Sequence, residues 1–443
     1  MKKYIQYIIA FTLLVQVCNA QDNIYPTAEQ KGTFYITHAT IHVGNGQVIS
    51  DGTIKVSNGK IVAVGTNAAV TVTGDSALNA RGKHVYPGLI SSISNLGLKE
   101  VGAGVRGSND YNELGDINPS VRAIVAYNTD SKVINTLRSN GVLLANVVPQ
   151  DEESVSRTLI TGTSSIVQLD AWNWEDAVYK MDGNMHFNMP SIRARTNPFA
   201  AFFNIQQPQV DPVRQALDQI DRVKMFFRQA KGYMAESTHK ENNLKYDAVK
   251  GLYNKSQKLF VHCNAVKEML LAIDFVTEFG FDVVIVGGSE SWQIADLLKQ
   301  NNVPVILQQM HSLPQTIDDD VDQPFKTPAM LQRAGVLFAI SDNDGQTRGR
   351  NLMFNAGTAV AYGLAKEEAL AAITLNAAKI LGIAQRTGSI ETGKDANIII
   401  SNGDILDMKN SVLTHAFIQG RQLNLNDKHT QLSDRYKHKY GLR

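Results

Sequence analysis

The sequence predicts an α/β fold in which strands are covered by helices on both faces, with a smaller β unit built from the two chain ends. Short apolar runs rich in valine and isoleucine alternate with amphipathic helical stretches through the middle of the 443-residue chain, which is typical of parallel strands under helices. Strand patterns with turn residues precede this region and return after it. With 43% hydrophobic and 19% charged residues, the chain can bury a large core.

A β meander is predicted first, over residues 32–81. Its clearest signal is the pair Asn58-Gly59, which predicts a tight hairpin because both central residues of a type I′ turn need positive φ. A second β pattern begins after Gly388. We expect the two β segments to pair into one small sandwich beside the helical region.

Between them, strand-like runs alternate with helices from Val85 onwards. The helix patterns at 212–235 and 366–381 each place their apolar residues on one face. We interpret these faces as core contacts, because cofactor contact is a much rarer use of such a stripe. The strand-like runs span residues 141–148, 258–262, 282–286, 303–307 and 336–340.

The start of the chain indicates a secretory signal peptide. Lys2 and Lys3 precede an apolar stretch at 7–17, and Ala20 supplies a small residue at the expected cleavage point. Because the apolar stretch is too short for a comfortable membrane span, we predict export to the periplasm or the medium, without a transmembrane span. A lipid anchor through Cys18 is the alternative.

Charge excludes one class of partner. The formal net charge is only +1 and the basic residues are dispersed, so the composition gives no electrostatic footprint for nucleic acid. The exception is a short basic tail at 428–443, which we interpret as a solvated terminus.

The last third of the chain carries a family resemblance. The run EALAAITLNAAKILG at 368–382 is followed by TGSIETGKDAN at 387–397. These segments resemble the last barrel helix of amidohydrolases and imidazolonepropionase-like proteins and the segment that leads into their closing strands. GKIVAVG at 59–65 and VYPG at 85–88 extend the resemblance over nearly the whole chain after the signal peptide. It implies a distorted TIM (β/α)8 barrel plus a composite β-sandwich formed by both chain ends.

The predicted organisation follows from that fold. It comprises a signal peptide at 1–20, β-sandwich segments at 32–85 and 387–425, a barrel at 86–386 and a basic tail at 426–443.

The resemblance also implies a metal site at the C-terminal ends of the barrel strands, where TIM-barrel sites lie. In the family, divalent ions are held by two first-strand histidines, a middle-strand lysine or glutamate, one histidine each from the fifth and sixth strands, and an eighth-strand aspartate. The metal lowers the pKa of its bound water to about 7, and the aspartate moves the proton. Three of these imidazoles are absent here, because Ile93, Asn95 and either Gly287 or Gly288 stand at the positions that the resemblance assigns to them.

His262 and Asp342 match the fifth-strand and eighth-strand positions that are retained. The resemblance makes Asp342 the expected catalytic residue and both residues expected metal ligands, with Asp344 as the register alternative. The alternatives are purely structural roles: His262 would be a polar residue at a strand end, and Asp342 would cap a turn or a helix. Since catalytic zinc usually has three protein ligands, we expect a divalent metal such as zinc to bind weakly or not at all.

Other polar residues are assigned more loosely. No lysine stands out as a middle-strand ligand, and the nearest polar residues to that position are Gln168 and Asp170. The loop after the first strand carries Asp110 and Glu113, which would either contribute to binding at the barrel mouth or form a plain surface loop. Three further histidines lack ligand spacing, and packing or chance explains them best: His186, His239 and His311.

Two functions follow from this pattern. The first is an exported hydrolase of C–N bonds in small cyclic amides or dipeptide-like compounds, working with a rearranged metal site. The second, which the missing ligands favour, is a catalytically impaired protein. It would bind a small ligand, or support an active relative as a subunit of a homo- or hetero-oligomer. Folding of a TIM barrel does not require the metal, so the fold can persist without the reaction.

Overall fold

The structure is a computed structural model that describes residues 25–74, 76–100, 109–150, 158–192, 211–236, 238–308, 310–314, 316, 318–342 and 348–442. The predicted signal peptide, the alternative anchor at Cys18 and Asp344 lie outside these ranges.

Sixteen strands lie in the described ranges. They are β1 (Thr33–His42), β2 (Val48–Ser57), β3 (Lys60–Thr66), β4 (Ala77–Asn79), β5 (His84–Pro87), β6 (Leu89–Ser94), β7 (Val142–Val147), β8 (Ile160–Gln168), β9 (Val178–Asn188), β10 (Lys258–Cys263), β11 (Val283–Gly287), β12 (Val305–Leu307), β13 (Phe338–Ile340), β14 (Ile398–Ser401), β15 (Leu413–Ile418) and β16 (Arg421–Gln422).

Twelve α-helices lie in the same ranges. They are α1 (Lys132–Ser139), α2 (Trp174–Ala177), α3 (Pro212–Ala235), α4 (Leu244–Asp247), α5 (Lys250–Tyr253), α6 (Val266–Phe279), α7 (Ala295–Gln300), α8 (Gln323–Ala334), α9 (Leu352–Ala361), α10 (Lys366–Ala372), α11 (Leu375–Leu381) and α12 (Lys428–Tyr440). Within the described residues, no helix is both long enough and apolar enough to cross a membrane.

The two chain ends form one eight-stranded sheet. Its order is β16-β15-β14-β5-β1-β2-β3, with β4 paired beside β1. The N-terminal and C-terminal segments join where β5 pairs antiparallel with β14, with Pro87 opposite Ile398. The β2–β3 hairpin turns at Asn58 and Gly59, whose φ angles of 48° and 78° confirm the predicted left-handed pair.

The other eight strands form a nearly closed barrel in the order β6 to β13. Its first and last strands meet through a side chain, because Ser341 Oγ accepts a hydrogen bond from the Ile93 N–H at 3.1 Å and donates to the Ile93 carbonyl at 3.4 Å. The predicted fold class, a distorted TIM barrel with a composite β unit, is confirmed.

One strand departs from the expected parallel arrangement. β8 pairs antiparallel with both β7 and β9, whereas the other neighbouring pairs of the barrel are parallel. Only residues 169–177 connect β8 to β9, and a parallel crossover needs roughly a dozen residues or more. The parallel order of the barrel is therefore interrupted at β8, a strand that the apolar runs of the sequence do not include.

Apolar side chains fill the barrel interior below the mouth. All eight strands contribute to this interior cluster, through Ile90, Leu144, Ile166, Tyr179, Phe260, Val284, Ile306 and Ala339. A larger cluster lies between the strands and the surrounding helices. The predicted helix at 212–235 is confirmed as α3, which begins at Pro212 because Asp211 caps it by accepting from the Val213 N–H.

Two predicted segments differ from the structure. The helix expected at 366–381 is broken into α10 and α11, because Thr374 lies outside the helical region with φ −135° and ψ −93°. The basic tail, interpreted from the sequence only as a solvated terminus, forms the helix α12, which has no buried side chain and whose first turn is capped by Asp427 accepting from the Thr430 N–H at 2.7 Å.

Candidate functional site

The barrel strands bring three of the expected site residues to one mouth. Asn95 directly follows β6, His262 is the penultimate residue of β10, and Asp342 follows β13. These strands run in the same direction, so the three residues belong to the C-terminal face of the barrel. Asn95 and Asp342 are only 8% and 5% exposed.

His262 is joined to a second imidazole that the sequence did not assign to the site. Its Nε2 lies 2.9 Å from Nδ1 of His186 on β9, and Nε2 of His186 lies 2.8 Å from the Ser164 hydroxyl. Asn184 Nδ2 donates to the same hydroxyl oxygen at 3.2 Å. The expectation that His186 lies apart from the site is wrong, because strand pairing brings it beside His262.

Burial keeps the inner imidazole neutral. The His186 side chain is fully buried, and this burial, followed by the neighbouring His262, holds the pKa of His186 well below its usual range. A neutral imidazole donates from one ring nitrogen and accepts at the other. The hydrogen bonds from Ser164 through His186 to His262 can therefore run in either direction, because each His186 ring nitrogen can donate or accept.

The other two histidines have packing partners. His239 stacks on Tyr233 with ring centroids 3.7 Å apart. His311 Nε2 lies 3.0 Å from the Thr358 hydroxyl, and its ring meets Phe325 edge-on. These contacts agree with the packing interpretation of both residues.

The first-strand positions carry no imidazole and serve other purposes. Ile93 is fully buried and belongs to the apolar cluster of the barrel interior. Asn95 Nδ2 donates to Gln150 Oε1 at 3.3 Å, whereas Asn95 Oδ1 is buried without a hydrogen-bond partner among the described residues.

The sixth-strand position is closed by backbone geometry. Gly287 has φ of 104°, and a Cβ placed there would lie 2.6 Å from Asn264 Oδ1 and 2.9 Å from the Cys263 carbonyl oxygen. The Asn264 side chain is itself held, because the Ser289 hydroxyl donates to Asn264 Oδ1 at 2.8 Å. A histidine side chain cannot occupy this position without displacing Asn264.

The eighth-strand carboxylate faces a cation of the same chain. Asp342 Oδ1 lies 3.3 Å from Arg348 Nη2, whose side chain is 48% exposed. Asp342 is thus placed at the mouth, as the strand pattern predicts, and paired there with a guanidinium group. Its catalytic role stays a prediction.

The loop after the first strand borders the mouth. Tyr111 is buried, and its carbonyl accepts from the Gln150 N–H at 2.8 Å, which places the loop beside the partner of Asn95. Asp110 and Glu113 are both exposed on this loop. The predicted rim position is consistent with these contacts, and a binding role for the two carboxylates stays a prediction.

Gln168 and Asp170 lie at the opposite end of the barrel. Because β8 is antiparallel, its final residues point away from the mouth. Asp170 is paired with Arg138 at 2.6 Å and Arg421 at 3.6 Å, and Gln168 Oε1 accepts from Arg421 at 2.8 Å. The expectation that either residue approaches the middle-strand ligand position is wrong, and both instead connect the barrel to the terminal sheet.

The residues present do not supply imidazoles at the three positions that the resemblance assigns to the family's metal ligands. Apolar packing holds Ile93, an amide stands at Asn95, and close contacts exclude a side chain at Gly287. Within the described ranges, no group of three or more histidine, cysteine, aspartate or glutamate side chains is arranged to hold a metal ion.

Several buried polar atoms of the barrel strands lack a hydrogen-bond partner in the described part of the chain. They are Ser92 Oγ, Asn95 Oδ1, Asn146 Oδ1, Thr161 Oγ1 and Asn184 Oδ1. The amide nitrogens of the three asparagines are engaged, as in the bond from Asn146 Nδ2 to the Ser92 carbonyl at 3.0 Å. A buried polar atom without a partner costs about 1–3 kcal/mol, and such atoms in native proteins usually face ordered water or a bound molecule.

Comparisons with known proteins agree with this architecture. Residues 325–423, which contain β13, Asp342 and the closing strands, match the model of the Amidohydrolase family. Amidohydrolase tasK of Hapsidospora irregularis is 20% identical over 358 residues, which are 74% of this chain and 35% of that protein. Imidazolonepropionase of Erwinia tasmaniensis is 34% identical over 103 residues, which are 23% of this chain and 20% of that protein. The matches thus span about a third or less of these curated relatives.

The structural likeness extends over much more of the chain. An amidohydrolase from Thermotoga maritima superposes with a TM-score of 0.76 at 25% identity, covering 88% of this chain and 99% of the other. This chain is therefore an imidazolonepropionase-like member of the amidohydrolase superfamily.

Proposed function

We propose that this protein is an exported amidohydrolase homologue that binds a small polar ligand at the barrel mouth and is impaired as a metal-dependent hydrolase. The observation that carries the proposal is the state of the three altered ligand positions, Ile93, Asn95 and Gly287. His262 and Asp342 alone would supply two protein ligands, fewer than the three usual for catalytic zinc. Export rests on the basic and apolar residues at the start of the sequence.

The unpartnered atoms suggest the chemistry of the ligand. Two of them, on Asn95 and Asn146 near the C-terminal ends of β6 and β7, are amide oxygens that can accept a hydrogen bond from a ligand N–H. The facing ring nitrogens of His186 and His262 add groups that can donate or accept. Small cyclic amides and dipeptide-like compounds, which carry N–H groups and little charge, match this arrangement.

Elemental analysis of protein purified without added metal tests the loss of the metal site. We expect well under one equivalent of zinc, manganese or iron, and no turnover of hydantoin, succinimide or glycyl-proline when zinc is added. Stoichiometric metal, together with turnover that Asp342→Asn abolishes, would overturn the proposal.

Calorimetric titration with the same three compounds tests the ligand site. Asn146→Ala removes one unpartnered acceptor, so we expect about fivefold weaker binding, equivalent to one hydrogen bond of about 1 kcal/mol. Asn301→Ala is the matched control, because Asn301 Nδ2 donates to the Leu297 carbonyl at the end of α7. Binding that is unaffected by Asn146→Ala, or that is absent for all three compounds, would count against a ligand site of this kind.

The second candidate is a C–N hydrolase with a rearranged site. It is favoured by the two imidazoles of His186 and His262, whose facing nitrogens are 2.9 Å apart at the same mouth as Asp342. This function predicts turnover of at least one of the cyclic amides, lost in both His186→Ala and Asp342→Asn. Ligand binding without turnover would separate the first candidate from the second.

A further inference from the structure

The C-terminal helix α12 is fully formed although it has no buried side chain. Asp427 caps its first turn, and Gly441, with φ of 63°, closes its last turn by donating to the His438 carbonyl. A helix of 13 residues is marginal in water unless it packs against something. The chain therefore fixes both ends of α12 and leaves most of its side chains exposed, although Leu432 is half-buried and His429 Nε2 lies 3.1 Å from Arg350 Nη1.

The residues of α12 are arranged by type around the helix. Leu432, Tyr436 and Tyr440 are four residues apart and therefore share one stripe. Tyr436 and Tyr440 are 53% and 64% exposed. At 100° per residue, basic side chains border this stripe on both sides while the single acidic one lies on the far face. The basic residues are Lys428, Arg435 and Lys439 on one side and Lys437 on the other, and the acidic residue is Asp434.

Charge is concentrated on this helix. The helix contains four lysine and arginine residues and one acidic residue, whereas the whole chain has a formal net charge of only +1. The Lys439 ammonium lies 5.1 Å from the Tyr440 ring and 6.0 Å from the Tyr436 ring, so cations and aromatic rings form one mixed surface. An apolar stripe between basic flanks is the arrangement of helices that lie in the headgroup region of a membrane.

The N-terminal end of the described chain lies close to the start of α12. The Thr27 hydroxyl donates to the Gln422 carbonyl at 3.2 Å, and Arg421 Nη1 donates to the Thr27 carbonyl at 3.3 Å. The first described residues of the chain and the segment that leads into α12 are therefore neighbours in the structure.

We propose that α12 is a membrane-surface element that lies on anionic lipid headgroups, with Tyr436 and Tyr440 in the interface and the basic flanks on the lipid phosphates. Tyrosine is enriched at membrane interfaces because its ring is apolar and its hydroxyl is polar. Because basic residues flank the stripe on both sides, both flanks of a helix lying on an anionic bilayer would meet lipid phosphates. The proposal is independent of what the barrel mouth binds.

Vesicle flotation of the full chain tests this assignment. The probes are phosphatidylcholine vesicles with and without phosphatidylglycerol, at low and at physiological salt. We expect binding that needs phosphatidylglycerol and weakens with salt. The double variant Lys437→Gln and Lys439→Gln should have a vesicle partition coefficient at least tenfold lower. Each cation near an anionic surface contributes a factor of about five to that coefficient. The variant Tyr436→Ser and Tyr440→Ser should lose binding at both salt concentrations.

The control is the double variant Lys231→Gln and Lys240→Gln, which removes two exposed lysines elsewhere and should bind as the unaltered chain does. Because every variant keeps the same N-terminal segment, differences between them report on α12 alone. Equal binding by the α12 variants and the control would overturn the proposal and assign the helix to another partner, such as an acidic protein surface.

Discussion

Replacing Gly287 with alanine tests whether the sixth strand has lost room for a ligand side chain. At the Gly287 φ of 104°, a side chain strains the backbone by about 1–3 kcal/mol. The added Cβ would also lie 2.6 Å from Asn264 Oδ1 and 2.9 Å from the Cys263 carbonyl oxygen, and such overpacking costs about 1–3 kcal/mol more. We expect Gly287→Ala to lower the free energy of unfolding by about 2–6 kcal/mol, and Gly287→His to lower it at least as much.

The matched control is Gly393→Ala. Gly393 has φ of 92°, so its backbone strain is comparable, but nothing lies within 4 Å of an added Cβ. Urea unfolding should therefore show Gly287→Ala to be less stable than Gly393→Ala by about 1–3 kcal/mol. Adding Asn264→Ala to Gly287→Ala should recover part of that difference, because the nearest atom belongs to Asn264. Equal losses in the two glycine variants would refute the close-contact argument and show that one substitution could restore a ligand here.

Three further predictions concern stability. Because burial holds the pKa of His186 well below its usual range, the unfolded chain takes up a proton near pH 6.5 that the folded chain does not. Stability should fall by up to about 1.4 kcal/mol per pH unit as the pH drops below about 6.5, and His186→Gln should flatten this slope in urea titrations. Ser341→Ala should lower the free energy of unfolding by about 1–3 kcal/mol in urea, because it leaves a backbone N–H of the barrel seam unpaired. Ser291→Ala removes a buried hydroxyl that has no hydrogen-bond partner among the described residues, so it should lower that free energy less. Asp170→Asn should cost about 3–5 kcal/mol by calorimetric melting, because it leaves the buried Arg138 unpaired, and should leave ligand binding at the mouth unchanged.

The elements that could be predicted are those whose signals are local. Between two strands, a pair such as Asn58-Gly59 favours a tight two-residue hairpin turn, and the structure shows that hairpin. His262 and Asp342 could be placed because each ends or directly follows an apolar run, and such runs in a barrel deliver their last residues to one face. Strand position is thus readable from a short stretch of sequence.

The features that could not be predicted depend on pairing between distant segments. His186 sits in the middle of the sequence without a spacing pattern, and only the register of β9 against β10 brings it to His262. The direction of β8 follows from a short connection, and without that observation Gln168 and Asp170 were assigned to the wrong end of the barrel. The break at Thr374 likewise interrupts an apolar stripe that is continuous in the sequence.

The antiparallel strand β8 also bears on the order in which the barrel assembles. β7, β8 and β9 follow one another in the chain and pair with their sequence neighbours, so this three-stranded unit can form without waiting for a distant strand. Closing the barrel between β6 and β13, in contrast, joins Ile93 to Ser341 across most of the chain. Since contacts between sequence neighbours lose less chain entropy than distant ones, we expect β7 to β9 to acquire protection in pulsed hydrogen exchange before the seam at Ser341 does.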